Sequence, residues 1–247
     1  MKAMILAAGL GTRLRPLTDT IPKPLLPLGG TPLVLWNLLR LRASGIREVM
    51  MNVHYLGSMI EEALGDGSRW DMRITYSREP ELLGTGGGVK AAEWFFERQP
   101  FLVINGDTLI DLDMQALRDF HQAHGEIATL VLRDDPLAVQ WGAVESDAQD
   151  RLLRINGQGA QEGLPTSAVT SRMFAGVQIL HPSILDEAPK GKPFSIIDSY
   201  TRALAGGSCL FGFVHSGYWS DIGTVERYTQ AQADVEAGFI HLSHSKG

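Results

Sequence analysis

One cysteine, Cys209, stands among 247 residues, so the chain makes no internal disulfide and builds no multi-thiolate metal centre. A reducing, cytoplasmic compartment is the expectation. Long apolar runs are missing as well: nothing approaches the roughly 18 residues of a membrane span, and the stretch Met4 to Ala8 is too short for the core of a secretory signal. Basic charge is scarce. Lys and Arg number 22 against 28 Asp and Glu, and the net charge of −6 argues against a general nucleic-acid or anionic-membrane binder, both of which need a basic surface. Neither Gly-Lys-Ser/Thr nor Gly-x-Ser-x-Gly occurs, and no Cys/His pairing suggests a thiol nucleophile. No internal repeat is present.

What is there describes an ordinary globular chain, 44% hydrophobic and 20% charged, long enough to bury about 70 to 75% of its unfolded surface. Through the first half, short apolar runs alternate with amphipathic segments. Strands are expected at Ala3–Ala8, Glu48–Val53, Met72–Ser77, Phe101–Asn105 and Ile127–Leu132, and helices at Leu33–Ala43, around Ile60 and Leu64, at Val89–Phe96 and at Leu117–His124. Thr31 reads as the N-cap of the first helix and Pro32 as its first position. The alternation predicts an α/β fold: a Rossmann-like, doubly wound, mixed and mainly parallel sheet with helices on both faces. From Asp134 the pieces shorten to strands at Gly142–Glu145, Leu152–Ile155 and Phe174–Leu180, separated by a Gly-, Gln- and Ser-rich loop at 156–171 that is expected to hide a further strand or two. Ser195 and Asp198 form a capping-box pair ahead of Tyr200–Ala205. A last helix runs from Thr224 to about Ala237, followed by a loose tail at 243–247.

The most informative segment leaves the first strand through Gly9 and Gly11 and then presents Arg13, Arg15 and Lys23. Backbone amides freed by glycine, together with cations at the carboxyl edge of an open sheet, suit phosphate. Residues 1–32 hold Lys2, Arg13, Arg15 and Lys23 against Asp19, a balance of +3, which leaves −9 for the rest. The segment is not a dinucleotide fingerprint, because Leu14 stands where the third glycine belongs. Two carboxylates, Asp107 directly after a strand and Asp221 in a glycine-flanked turn, are what a Mg²⁺ site expects. Asp111 and Asp113 read as loop and helix N-terminal charges. Gly84 to Gly88 carries four glycines in five residues and permits backbone to lie flat against a planar base or sugar. His121-x-x-His124 reads as a solvated helix face and His241-x-x-His244 as tail, while Trp36, Trp94 and Phe95 read as core.

The run Leu6-Ala7-Ala8-Gly9-Leu10-Gly11-Thr12-Arg13-Leu14-Arg15-Pro16, followed by Pro22-Lys23-Pro24, resembles the signature of the sugar-1-phosphate nucleotidyltransferases. The resemblance continues through Leu83–Gly88, Val103–Asp107, Phe174–Gly176 and Gly217–Thr224. It implies transfer of a nucleotidyl group from a nucleoside triphosphate to a sugar 1-phosphate, with pyrophosphate released and Mg²⁺ required. On that implication Ala8, Gly9, Gly11, Thr12, Arg13, Glu79, Gly84 and Thr85 hold the nucleotide, and Lys23, Asn105, Gly142 and Gly176 hold the sugar phosphate. Asp107 and Asp221 hold the metal, and Arg13 and Lys23 carry catalysis by neutralising charge. Glu79 stands at the base-reading position, where a carboxylate accepts from guanine N1–H and N2–H₂ together, or less completely from uracil N3–H.

The expected organisation is one domain, 1–247, with a nucleotide-binding half at 1–133, a sugar-phosphate-binding half at 134–240 and no C-terminal β-helix. One departure from the family pattern is visible: Asn156-Gly157-Gln158 and Val169-Thr170-Ser171-Arg172 replace a Glu-Lys-Pro segment, with Lys90 and Arg172 reading as surface residues. The small size and the Thr-Gly-Gly-Gly and Tyr-Trp-Ser-Asp-Ile-Gly runs resemble small bacterial enzymes that act on N-acetylmuramate 1-phosphate with UTP. Mannose or manno-heptose 1-phosphate with GTP stands close beside that choice. A phosphocholine cytidylyltransferase shares the N-terminal signature. A non-catalytic nucleotide-sugar sensor would be expected to lose one of Arg13, Lys23, Asp107 or Asp221, and all are present. The expected partners are the two small phosphorylated substrates, with no nucleic acid and no membrane.

Overall fold

The computed structural model describes residues 1–124, 127–136, 138, 142–159 and 169–242. In chain order the strands are β1 (Ala3–Leu6), β2 (Pro27–Leu28), β3 (Thr31–Pro32), β4 (Glu48–Val53), β5 (Arg73–Arg78), β6 (Phe101–Asn105) and β7 (Thr108–Ile110). They continue with β8 (Ala128–Arg133), β9 (Ala143–Ser146), β10 (Leu152–Ile155), β11 (Gln158–Gly159), β12 (Thr170–Leu180), β13 (Leu210–Val214) and β14 (Trp219–Asp221). The helices are α1 (Leu33–Ala43), α2 (Gly57–Leu64), α3 (Gly84–Ala91), α4 (Met114–His124), α5 (Ile196–Ala205) and α6 (Val225–Glu236). The chain forms two compact units, one from Met1–Leu82, Ile104–Leu112 and Gly217 onward, the other from Leu83–Val103 and Asp113–Ser216. Residue 134, where the sequence pattern changes, lies inside the second unit's longer stretch.

In the first unit β1, β4 and β5 run parallel, with Ile5 opposite Met51 and Met50 opposite Thr75. Ala3, Met4, Ile5, Val49, Met50 and Met51 are fully buried, as strands covered on both faces require. That double burial is why these strands read as continuous apolar runs. A separate cluster of Leu28, Leu33, Trp36, Leu109, Ile222, Ala231 and Ile240, with Tyr218, Tyr228 and Val235 against it, anchors α6 and the antiparallel β7–β14 ribbon. Helix α1 has the expected extent, but its N-cap is Pro32 and makes no side-chain cap bond. Thr31 pairs with Leu28 in the β2–β3 hairpin instead.

In the second unit β13 lies parallel to β8, β12 lies antiparallel to β8, and β9, β10 and β11 follow in antiparallel order from β12. The α/β class with a mixed sheet is the one that the alternation predicts. Helix α5 carries the predicted capping box, with Ser195 accepting from the helix and Asp198 accepting from the Ser195 backbone. Helix α3 differs: it starts at Gly84 and stops at Ala91, and Glu93–Phe96 is a separate 3₁₀ turn. Its glycines meet the chain ahead of α5, since a Cβ on Gly86 would stand 2.2 Å from the Phe194 ring and 2.9 Å from the Ile196 nitrogen. Close packing therefore makes the glycine run a helix rather than a flat ribbon.

Two further expectations change, at Trp94 and at His121. Trp94 is 68% exposed while Phe95 is buried, because the 3₁₀ turn directs consecutive side chains to different sides. His121 is buried, with Nδ1 bonded to the Thr129 hydroxyl, so only His124 lies on the solvated side of α4. Of the loop 156–171, the described part forms β11 and the start of β12, and 160–168 lies outside the described residues, as does the tail 243–247. No described helix is long and apolar enough to cross a membrane.

Candidate active site

β1 ends at Leu6, and the chain turns through Gly11, whose φ of +66° is the left-handed conformation that glycine adopts without strain. The 3₁₀ turn Thr12–Leu14 follows. It buries Leu14 completely and leaves Arg13 exposed. The Thr18 hydroxyl donates to the Gly11 carbonyl at 2.8 Å and closes the loop. A Cβ on Gly11 would press on Thr18 at 3.0 Å and on the Lys23 Cβ at 3.3 Å, so the glycine also brings the Lys23 segment close. Lys23 opens a second 3₁₀ turn between buried Pro22 and Pro24. Two fixed φ angles thus flank the lysine.

Lys23 Nζ lies 2.5 Å from Asp107 Oδ2. Asp107 follows Gly106, which donates to the Leu6 carbonyl, and the Asp107 carbonyl accepts from the Ile222 backbone at 2.9 Å. Asp221 ends β14 opposite Thr108 of β7. This pairing brings together two carboxylates that are 114 positions apart in sequence. Burial, and then the negative charge of Asp107, push the Asp221 carboxyl up, against the pull of Lys23, Arg227 and Arg13. Gly223 lets the groups converge: a Cβ there would stand 2.8 and 2.9 Å from the Asp221 oxygens and 3.2 Å from Arg13 Nη2.

Sequence reasoning missed Arg227. Its Nη1 lies 2.5 Å from Asp221 Oδ2. The signal was there: with Thr224 as N-cap, Arg227 sits in the first turn of α6, where the helix dipole disfavours a cation. The paired carboxylate offsets that cost. Three cations and two carboxylates now occupy one place in the first unit. Asp107 and Asp221 fit a magnesium ion, which takes one or two carboxylates and fills its shell with water and phosphate oxygen. No cluster of three or more potential metal ligands exists among the described residues.

Glu79 follows β5 and is 4% exposed. Asn52 Nδ2 donates to Glu79 Oε1 at 2.8 Å, and the Asn52 Oδ1 accepts from the Ala7 backbone, also at 2.8 Å. Ala8 and Gly9 lie in the loop after β1, Thr12 opens the 3₁₀ turn, and Asn105 ends β6. The second unit holds the other expected residues. Gly84 begins α3, and the Thr85 hydroxyl accepts from the Ile196 nitrogen at 2.9 Å. Gly142, at φ +99°, is covered by Asn156, whose Oδ1 would be 2.6 Å from a Cβ there. Gly176, at φ +76°, lies where the β12–β8 register shifts. Lys90 and Arg172 are not surface residues. Lys90 pairs with Glu93 and donates to the Leu185 carbonyl, and Arg172 pairs with Asp134, with 13% and 17% of their side chains exposed. Asp113 caps α4 by accepting from Gln115 and Ala116.

The model of the nucleotidyl transferase family matches residues 2–238. The chain belongs to that family and is a nucleotidyltransferase. It is 39% identical over 241 residues to N-acetylmuramate alpha-1-phosphate uridylyltransferase of Neisseria meningitidis serogroup B, covering 94% of this chain and 97% of the relative. It is 35% identical over 240 residues to mannose-1-phosphate guanylyltransferase of Mycobacterium tuberculosis, covering 96% of this chain and 65% of that relative. Among solved structures, HddC from Yersinia pseudotuberculosis complexed with GMP-PN superposes with a TM-score of 0.77 at 26% identity, over 95% of this chain and 99% of that one.

Proposed function

We propose that the protein transfers a nucleotidyl group from a nucleoside triphosphate to a sugar 1-phosphate and releases pyrophosphate. The observation that carries this reading is the convergence of Arg13, Lys23 and Arg227 on Asp107 and Asp221 over Gly223. Two polyanions repel each other, and cations placed in advance lower the cost of bringing them together. A sugar-phosphate oxygen attacks the α-phosphorus. The new O–P bond forms as the bond to the bridging oxygen breaks, and the electron pair leaves with pyrophosphate. Arg13 neutralises the departing pyrophosphate. Lys23 holds phosphate at the end of a flexible stem whose base the two prolines fix. Asp107 and Asp221 would hold a Mg²⁺ ion, whose charge would further neutralise phosphate oxygens. Ala8, Gly9, Gly11 and Thr12 offer backbone to the triphosphate, Glu79, Gly84 and Thr85 contact the nucleoside, and Asn105, Gly142 and Gly176 contact the sugar phosphate.

N-acetylmuramate 1-phosphate with UTP is the first substrate pair, supported by the relative whose length this chain spans almost completely. A manno-configured sugar phosphate with GTP is the second. The likeness to a chain solved in complex with GMP-PN favours it. A matrix of nucleoside triphosphates against sugar 1-phosphates, read as pyrophosphate produced, decides between them, and failure of every pair would overturn the reaction. Asp107→Ala is expected to reduce turnover by about 100-fold or more while the melting temperature holds; undiminished, magnesium-dependent turnover would remove Asp107 from the metal site.

A further inference from the structure

We infer that Arg227 is a positioning residue that acts through Asp221 to keep a divalent cation off Asp107 and Asp221 until the triphosphate arrives. The inference rests on the reading of those two carboxylates as the magnesium ligands. Arg227 Nη1 lies 2.5 Å from Asp221 Oδ2, as Lys23 Nζ lies 2.5 Å from Asp107 Oδ2. Arg13 comes to the same place, since a Cβ on Gly223 would stand 2.8 and 2.9 Å from the Asp221 oxygens and 3.2 Å from Arg13 Nη2. Among the described residues, three cations thus face two carboxylates here, and the balance is positive.

Helix α6 does not depend on Arg227 for its place. Its later turns fasten it: the Tyr228 hydroxyl and Gln232 Nε2 both donate to the Pro27 carbonyl, the second at 3.0 Å, and Gln232 Oε1 accepts from the Gly29 nitrogen at 2.8 Å. Ala231 is fully buried, and Tyr228 and Val235 pack against the same apolar cluster. The first turn, where Arg227 stands, is the least favourable part of the helix for a cation, because the dipole already places positive charge there. The arginine side chain is 35% exposed, a setting in which an ion pair adds little to stability. A charge that the fold does not require is left for the site to use.

The use follows from the signs. Magnesium gives up its water reluctantly, and a divalent ion approaching Asp107 and Asp221 meets the repulsion of Arg13, Lys23 and Arg227 along with the attraction of the carboxylates. A triphosphate meets the same surplus of positive charge as an attraction, and its own negative charges then draw the ion in. Arg13 and Lys23 alone would only balance the two carboxylates. Arg227 tips the site, so that it favours the polyanion first and the metal with it or after it.

Equilibrium dialysis of the full chain against Mn²⁺, with the retained ion read by EPR, tests this order beside calorimetry of the α,β-methylene analogues of UTP and GTP in metal-free buffer. Arg227→Met is expected to bind Mn²⁺ alone about 10-fold more tightly than the natural protein, and the preferred analogue alone about 10-fold more weakly, the effect of one unit charge beside each ion. Arg227→Lys, which keeps the charge, is expected to match the natural protein in both. Shifts of opposite sign are the signature, because a distorted site weakens both ligands. Asp107→Asn establishes the place: if it leaves unchanged the Mn²⁺ retained together with an analogue, the magnesium reading fails and the inference with it. If Asp107→Asn does lower it, and Arg227→Met leaves affinity for Mn²⁺ alone unchanged or weaker, the inference alone is overturned. Tighter binding that persists in Arg227→Met/Asp107→Asn lies elsewhere on the acidic chain and overturns it as well. Should Arg227→Met fail to melt cooperatively, Arg227→Gln, whose uncharged amide still donates to a carboxylate, decides by the same comparison.

Discussion

A methyl group added at Gly9 would meet nothing within 4 Å, whereas one at Gly223 would press on both the Asp221 carboxylate and Arg13. Gly9→Ala is therefore expected to leave stability within about 0.5 kcal/mol while raising KM for the triphosphate, since the side chain occupies the space a phosphate would take. Unchanged KM would show that the loop does not approach the nucleotide that closely. Gly223→Ala is expected to keep the fold but displace the carboxylate, at a cost of about 100-fold in kcat, as displacements near 1 Å cause. Thermal melts beside pyrophosphate-release kinetics distinguish the two. Arg13, Lys23, Asp107 and Asp221 were legible as candidates from their motifs. Arg227 was not, because only the β7–β14 pairing and the first turn of α6 bring it to Asp221.

Among the elements, α3 shows how packing overrides propensity. Alanine is intrinsically the better helix former by about 1 kcal/mol, yet Gly86→Ala is expected to lower the melting temperature, with overpacking costing about 1–3 kcal/mol. The backbone nitrogen of Ile196 at 2.9 Å is not free to give way. A melting temperature at or above that of the natural protein would show that the α3–α5 contact tolerates expansion. Helix α4 is tied to β8 through His121, whose pKa is lowered from 6.5 by burial and then by the neighbouring His181 charge. The unfolded chain thus binds a proton here that the folded chain resists. Stability rises with pH through this window, and His121's contribution is lost as pH falls below 6.5 towards the depressed folded value. His121→Gln is expected to flatten the acid side of the melting-temperature profile, and an identical profile would assign the acid sensitivity to other groups.

For the whole molecule, charge is distributed unevenly: the first 32 residues carry +3 within a total of −6. Attraction between concentrated cations and polyanionic substrates weakens as salt shortens the screening length from about 10 Å at 0.1 M to about 3 Å at 1 M. Affinity for the triphosphate is expected to fall steadily with ionic strength, and salt-independent binding would shift the weight from charge to hydrogen bonding. Local patterns carried the fold class, the capping box at Ser195 and the glycine loop after the first strand, since each depends on neighbours a few positions apart, and periodicity and capping act over that range. The sequence by itself determined which chemical groups were available and that glycine was needed beside them. Only the tertiary structure decided which of them meet. Strand pairing set Asp221 beside Asp107, close packing turned the glycine run into a helix, and one buried amide joined Ala7 to Glu79 across the ends of three strands. Contacts of that kind depend on register and burial between segments far apart in the chain, which no local pattern encodes.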